Sequence, residues 1–413
     1  MTTSGSLVRS VVRGPAVVAL ALLAACGGDG GTAFIAPYWV GGGVVVTDLD
    51  GDGRDDVAMT STYVAAAPPH PGHVDVWRQT ASGRFGPLLR YAVAADPWVL
   101  VAGDVNGDAR PDLLAVSPMT VPAPANTVGD SGALALLRQS AVTPGVFEPA
   151  QVLPTGGVAS DAAMADTDGD GRTDLLVADA AIANHRALRL AQQAPVGFAA
   201  PEAVCPGMSQ GWSALAVGDL DGDGRADLVG VGGTQLWWCA GQAGGAWAGA
   251  AVLGTGTALV GVVLADVDAD GRVDIVAADA GNAPAGAPGG AAVRWWRQTA
   301  TGVFTTQSQA VADGARRVLV RDLDQDGRPD LAAISTVYQT QANSTRITVM
   351  LQSSVTPGAF GVSQVWEGPY NASFIAAGDV TGDGKPDIVV DGPVVYPQSG
   401  TAAGRFLSAA PLP

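Results

Sequence analysis

Three observations predict an all-β fold, and specifically a seven-bladed β-propeller of four-stranded antiparallel blades. A nine-residue acidic pattern recurs seven times, each copy is flanked by apolar β-branched stretches, and glycine and proline together make up about a fifth of the chain. The 413 residues, 47% hydrophobic and 15% charged, are enough to bury a large core, which excludes a fully disordered chain. Acidic side chains outnumber basic ones 39 to 22, for a formal charge of −17. That balance argues against a phosphate-backbone binder, so no nucleic-acid partner is expected.

The first element is an address. Arg9 and Arg13 precede an apolar run from Ala16 to Ala25, too short to span a bilayer and ordered like a secretory signal. The run ends in Leu23-Ala24-Ala25-Cys26, which resembles the lipobox of bacterial lipoproteins. The resemblance implies a signal peptide over residues 1–25, with lipid on Cys26 and a glycine-rich tether to residue 33. It also implies export and membrane anchoring at the outer membrane or cell surface. The propeller is then expected over residues 34–413.

The acidic loops come next. The pattern Asp-x-Asp-x-Asp-Gly-x-x-Asp begins at Asp48, Asp104, Asp166, Asp219, Asp266, Asp322 and Asp379, at spacings of 56, 62, 53, 47, 56 and 57 residues. Such regularity marks a repeat protein. Hard cations take six to eight oxygens, and a tight turn supplies them from alternate residues around a glycine bend. The candidate side-chain ligands at positions 1, 3, 5 and 9 are, in the first loop, Asp48, Asp50, Asp52 and Asp56. Equally complete are Asp166, Asp168, Asp170 and Asp174; Asp219, Asp221, Asp223 and Asp227; Asp266, Asp268, Asp270 and Asp274; and Asp322, Asp324, Asp326 and Asp330. Two loops are weaker: Asp104, Asn106, Asp108 and Asp112, with Ala109 at the bend, and Asp379, Thr381, Asp383 and Asp387. An EF-hand would need a glutamate at position 12 between two helices. Here position 12 holds Met59, Ala115, Val177, Gly230, Ala277, Ala333 and Val390, and none can ligate through a side chain. The expected cofactor is calcium, up to seven ions, in a structural role. Position 7 is basic throughout, from Arg54 to Lys385, and reads as charge offsetting each cluster.

The remaining strands follow each loop. One apolar strand comes directly after it, and a third ends near a glutamine, as in Val74 to Gln79 and Val293 to Gln298. Trp77, Leu137, Leu190, Trp238, Trp296, Met350 and Tyr396 form a bulky column read as packing between blades. A downstream Gly-x-Phe, such as Gly83 to Phe85, opens the fourth strand. Together with Gly218 to Leu228, these motifs resemble the FG-GAP/VCBS repeats of integrin α-subunit propellers and bacterial surface proteins. The resemblance implies calcium loops joining the first and second strands of each blade on one face, with ligands on the opposite face. Either residues 34–40 or the segment after Phe406 supplies the outer strand that closes the ring.

The opposite face holds the candidate ligand contacts Trp98, Trp212, Tyr63, Arg316, Arg317, Tyr338 and Tyr370, aromatic and polar groups suited to a glycan or an extracellular protein. The expected function is a calcium-stabilised, membrane-anchored, monomeric binding or adhesion module. The alternatives are a lyase-like polysaccharide-degrading enzyme on the same scaffold, or a non-binding spacer. Catalysis is not expected, because His70, His73 and His185 sit in no acid-base, nucleophile or zinc signature. Cys205 and Cys239 are expected unpaired, since their strand ends fall on opposite faces roughly 15 Å apart.

Overall fold

The computed structural model describes residues 38–64, 70–118, 132–180, 186–193, 197–208, 211–282, 290–311, 314–338, 343–369 and 371–412. The expected signal segment, Cys26 and the expected tether lie outside them, as do His185 and Tyr370. None of the described residues is helical.

Seven four-stranded antiparallel sheets follow one another, each built from four strands in chain order, with a short two-stranded hairpin between the third and fourth strands of blades 1 and 3. Blade 1 is Tyr38–Thr47, Asp56–Val64, Gly72–Trp77 and Leu89–Val93, and blade 2 is Val99–Gly103, Asp112–Ser117, Ala133–Leu137 and Gln151–Pro154. Blade 3 is Ala159–Ala165, Asp174–Asp179, Arg186–Leu190 and Glu202–Val204, and blade 4 is Ala214–Gly218, Asp227–Gly232, Gln235–Cys239 and Ala251–Thr255. Blade 5 is Leu259–Ala265, Asp274–Asp279, Ala292–Ala300 and Val303–Ala310, and blade 6 is Gly314–Arg321, Asp330–Tyr338, Asn343–Gln352 and Phe360–Gly368. Blade 7 is Ile375–Gly378, Asp387–Val390, Val394–Tyr396 and Ala410–Pro411. The first strand of each blade touches those of both neighbours, and the seventh returns to the first, so the inner strands make a closed ring.

The second strands are buried on both faces, which explains their unbroken apolar runs such as Leu113 to Val116 and Leu175 to Ala178. The packing column holds at Trp77, Leu137, Leu190, Trp296, Met350 and Tyr396, all buried. In blade 4 it is corrected, because Cys239 pairs with Leu228 at that place and Trp238, one residue earlier, is only partly buried. The register repeats as well. Gln79 faces Phe85, Gln298 faces Phe304 and Gln352 faces Phe360, and isolated bridges join Gln139 to Phe147 and Gln398 to Phe406.

The C-terminal segment closes the last blade, because Val394 and Val395 pair with Pro411 and Ala410. Tyr38 to Val40 belong instead to the inner strand of blade 1. Among the described residues no strand is exchanged between the chain ends, and side chains span the first and last blades. Asp55 Oδ2 accepts the amide of Asp379 at 2.7 Å, and Gln79 Nε2 donates to the Asp379 carbonyl at 3.0 Å.

That glutamine contact recurs around the ring and gives the buried glutamine column its purpose. Gln139 Nε2 donates to Leu49 O, Gln192 to Val105 O, Gln298 to Leu220 O, Gln352 to Val267 O and Gln398 to Leu323 O. The acceptor is always the acidic loop of a neighbouring blade, so the amide satisfies a buried carbonyl and fastens the seam. In Gln139 and Gln398 the seam is the one with the preceding blade, as it is for Gln352, which reaches from blade 6 to blade 5. Blade 4 carries Gly241 at this position and makes no such bond.

The seam between blades 3 and 4 is instead bridged by a disulfide between Cys205 and Cys239, with Cα atoms 5.7 Å apart. This overturns the expectation that the two are unpaired. Successive strands of a sheet rotate by roughly 20–25° each, so an outer strand lies well off the ring axis and its end no longer belongs to one face. Cys205, in a left-handed conformation at φ 58°, turns out of the outer strand of blade 3 and is buried against blade 4 beside Trp237.

Candidate metal centres and the opposite mouth

Each acidic loop is a tight turn wound around its first aspartate. Asp48 Oδ1 accepts the Gly51 amide at 2.7 Å and Oδ2 the Gly53 amide at 2.8 Å, and the same bonds recur at Asp219 and Asp166. The ninth residue is wholly buried and ties the loop to the sheet. Asp56 accepts the amides of Leu49 at 3.0 Å and Gln79 at 2.7 Å, and Asp112, Asp274 and Asp330 repeat the arrangement.

Carboxylate oxygens of positions 1, 3 and 9 converge within 4.8 Å in four loops: Asp48, Asp50 and Asp56; Asp219, Asp221 and Asp227; Asp266, Asp268 and Asp274; and Asp322, Asp324 and Asp330. In the third loop Asp166, Asp168 and Asp170 converge instead, because Asp174 Oδ2 is taken by the Thr167 hydroxyl. Among the described residues, the second and seventh loops assemble no triple. There Asn106 donates to Asp108 at 3.2 Å, and Thr381 supplies no carboxylate. Outside the third loop position 5 is left out of the triple, and Asp52, Asp108, Asp223, Asp270 and Asp326 each pair with the arginine two residues on, as Asp170 also does. That basic residue also reaches the hairpin after the third strand. Arg54 Nε donates to Gln79 O at 2.9 Å, Arg272 Nε to Gln298 O at 3.0 Å and Lys385 Nζ to Ser399 O at 3.3 Å. Position 7 is thus a structural strut as well as a counter-charge.

The donor set fits a hard divalent cation on an observation independent of the motif. Asp50 Oδ1 and Asp268 Oδ1 are buried without any hydrogen-bond partner, which is costly unless a cation meets them. Burial and the surrounding carboxylates accordingly hold the Asp50 and Asp268 carboxyls above their usual range.

At the other end of the inner strands, side chains of several blades meet on the ring axis. Blade 1 presents Gly41, Gly42 and Gly43 here, and a Cβ on Gly43 would come within 2.3 Å of Leu100 N. This close approach lets Trp98, ahead of blade 2, reach Phe374, ahead of blade 7, edge to face with centroids 5.3 Å apart. Arg317 of blade 6 stands over the same Phe374 ring at 4.9 Å and donates from Nη1 to Val260 O of blade 5 at 2.9 Å. Asp161 of blade 3 accepts the Leu215 amide and lies, with Asp391 of blade 7, in the field of Arg317. Asp161 and Arg317 each follow a register shift in their inner strands, the kind of bulge that re-aims a side chain.

Of the expected ligand contacts, the structure therefore brings Trp98 and Arg317 together. Arg316 adjoins Arg317 in sequence and donates to Thr336 Oγ1 at 3.2 Å. Tyr63 lies in the second strand of blade 1, paired with Trp39. Tyr338 ends the second strand of blade 6, and its side chain is outside the described set, as is all of Tyr370. Trp212 is a correction: it is fully buried, stacked on Trp237 at 6.4 Å over Gly230, and it serves the blade 3–4 core. A tryptophan in a loop leading into a strand reads the same whether it faces solvent or fills the hole left by a glycine. Sequence reasoning also missed Phe374, Asp161 and Asp391, and the signal available was an acid within an inner-strand pattern at Asp161.

Asp391 is buried and accepts the amides of Ser373 and Phe374 at 2.8 Å, yet burial still pushes its carboxyl up to about 7. A folded pKa above the unfolded value of 3.8 means that the folded state holds a proton which the unfolded state has released. The contribution to stability is full below the unfolded pKa and is lost as pH rises towards about 7. Asp391→Asn keeps an acceptor for both amides and removes this cost. Its urea midpoint should exceed the wild type's at pH 8, with the gap closing towards pH 4, and a pH-independent gap would refute the assignment.

The FG-GAP-like repeat pattern matches residues 48–115, 219–277, 266–333 and 322–390. These cover more than half of the chain, and the chain belongs to that family. A search of curated proteins found no match. Solved structures with a similar path include an Agrocybe aegerita lectin described as recognising non-reducing terminal N-acetylglucosamine, at 17% identity and TM-score 0.49, covering 79% of this chain and 80% of that one. A Bacillus licheniformis rhamnogalacturonan lyase is 14% identical with TM-score 0.46, covering 89% and 71%. The V. cholerae biofilm matrix protein Bap1 is 13% identical with TM-score 0.42, covering 91% and 80%. Likeness at this level bears on neither ligand nor chemistry.

Proposed function

We propose that this chain is a calcium-stabilised binding module, exported and lipid-anchored through Cys26. In this reading it captures a glycan or an extracellular protein at the mouth opposite the acidic loops. The observation that carries the reading is the convergence of Trp98, Phe374 and Arg317 at the ring axis. Trp98, partly exposed and backed by the buried Phe374, offers an aromatic surface near a cation, the combination that engages sugar rings and their acidic substituents. The Cys205–Cys239 disulfide supports export, since such bonds persist in oxidising compartments. The soluble domain, displayed on a glycan array and used in pull-downs, tests the reading. Trp98→Ala should lose at least tenfold in capture while its calcium-dependent melting is kept, and undiminished capture would sink the mouth as the site.

One observation favours a second, catalytic reading: Asp391, titrating near neutrality, lies in the field of Arg317. An acid and a cation so placed are what proton abstraction beside a carboxylate requires. Binding is preferred because Asp391 is only 3% exposed, beneath the mouth. Depolymerisation assays on acidic polysaccharides separate the two.

A further inference from the structure

The metal loops are not equivalent, and the difference lies in one residue outside the repeat pattern. In blades 1 and 5 the residue before the latch glutamine is an arginine that turns onto the position-3 aspartate. Arg297 Nε lies 3.1 Å from Asp268 Oδ2, and Arg78 Nη1 lies 3.8 Å from Asp50 Oδ2. The same guanidinium groups donate to the next blade's hairpin, Arg297 to Pro357 O at 3.2 Å and Arg78 to Pro144 O at 3.0 Å. Those two hairpins share the sequence Val-Thr-Pro-Gly, at 142–145 and 355–358. Their glycines sit almost on the loops: a Cβ on Gly358 would lie 3.2 Å from Asp268 Cβ.

Blades 4 and 6 carry Ala240 and Leu351 at the arginine position, so Asp221 and Asp324 lack this third-strand partner, although Arg328 of its own loop acts on Asp324. In blade 3 Arg189, three residues before the glutamine, lies 4.0 Å from Asp168 Oδ2. Blade 2 has Arg138, but its loop offers Asn106 at position 3, and the arginine turns to Glu148 at 3.6 Å. The arginine therefore follows the carboxylate. The Asp268 side chain is 6% exposed, with Oδ2 in an ion pair beside the guanidinium. Oδ1 and Arg297 Nε are both buried without a hydrogen-bond partner, so the guanidinium offsets the charge and leaves the carboxylate's hydrogen-bonding capacity unmet.

We propose that Arg78 and Arg297 are affinity-setting residues that stand in for part of the cation's charge. The loops of blades 1 and 5 then bind calcium more weakly than those of blades 4 and 6. Filling a weak loop releases its arginine and loosens its hold on the next blade's hairpin. The inference rests on the calcium reading. Its physical basis is that affinity at oxygen sites follows net ligand charge, and a guanidinium within 4 Å opposes a divalent ion directly.

Calorimetric calcium titration of the whole soluble domain, backed by competition with a chromophoric chelator, tests it. The wild type should show at least two classes of site. Arg78→Gln with Arg297→Gln should move two sites from the weak to the strong class, a gain on the order of tenfold each, while Arg297→Lys stays close to the wild type. Ala240→Arg should move one strong site to the weak class. Melting in chelator confirms that each variant folds, and hydrogen exchange at residues 140–147 and 353–360 reports the hairpin link. Unchanged or weakened calcium binding in the double glutamine variant overturns the proposal and leaves the arginines as struts. No calcium uptake by the wild type removes the calcium reading itself.

Discussion

Chelation of divalent cations is expected to lower the melting temperature of this domain by on the order of 10 °C. The four loops that bring positions 1, 3 and 9 within 4.8 Å place like charges against one another, and two position-3 carboxylates hold a buried oxygen with no donor. A bound calcium ion reverses both penalties. At free calcium about 100-fold above the dissociation constant each site contributes about 2.7 kcal/mol, so four sites contribute about 11 kcal/mol. The loops also sit at seams, held by the next blade's glutamine, so emptying them weakens contacts between blades as well as the turns. Scanning calorimetry with and without excess chelator measures the effect. A melting curve indifferent to chelator would show that the buried carboxylates are held by protons and arginines alone.

Replacing Cys205 and Cys239 by alanine costs about 4 kcal/mol, the chain-entropy value for a cross-link closing a loop of 34 residues. The loss falls at one place. Around the ring a glutamine amide fastens the acidic loop of a neighbouring blade, and at blade 4 Gly241 replaces it. The disulfide crosses that seam between the outer strand of blade 3 and the third strand of blade 4. Hydrogen exchange should accordingly rise first in Ala187 to Val204 and Leu236 to Cys239. Equal loosening of all seven seams would show that the cross-link acts on the ring as a whole.

Much of this molecule is legible from a repeat read against strand periodicity. The seven Asp-x-Asp-x-Asp-Gly-x-x-Asp copies locate every loop between first and second strands, and the apolar runs after them are the doubly buried second strands. Outside blade 4, where Cys239 and Gly241 take their places, the bulky and glutamine columns fall in register because the blades repeat the same local hydrogen bonds. Less legible was anything formed between blades. Trp98 and Trp212 precede equivalent inner strands, yet one packs edge to face at the mouth and the other is sealed over Gly230. The weak second and seventh loops were visible as Asn106 and Thr381, whereas the altered third loop depends on Thr167, which no ligand pattern includes.

By itself, the sequence determined the strand order, the number of blades and the positions of the acidic loops. These follow from interactions within some ten residues, the range over which side-chain periodicity and turn chemistry operate. The tertiary structure alone decided four matters: that Cys205 meets Cys239, that the C-terminal segment closes the ring, which carboxylates converge, and which arginines turn onto them. The disulfide depends on the packing of one blade against the next, and the C-terminal strand and the arginine contacts on how the strands of one blade pair and twist. The carboxylate convergence is set inside each loop, by contacts such as Thr167 to Asp174 that fall at positions the ligand pattern leaves unspecified.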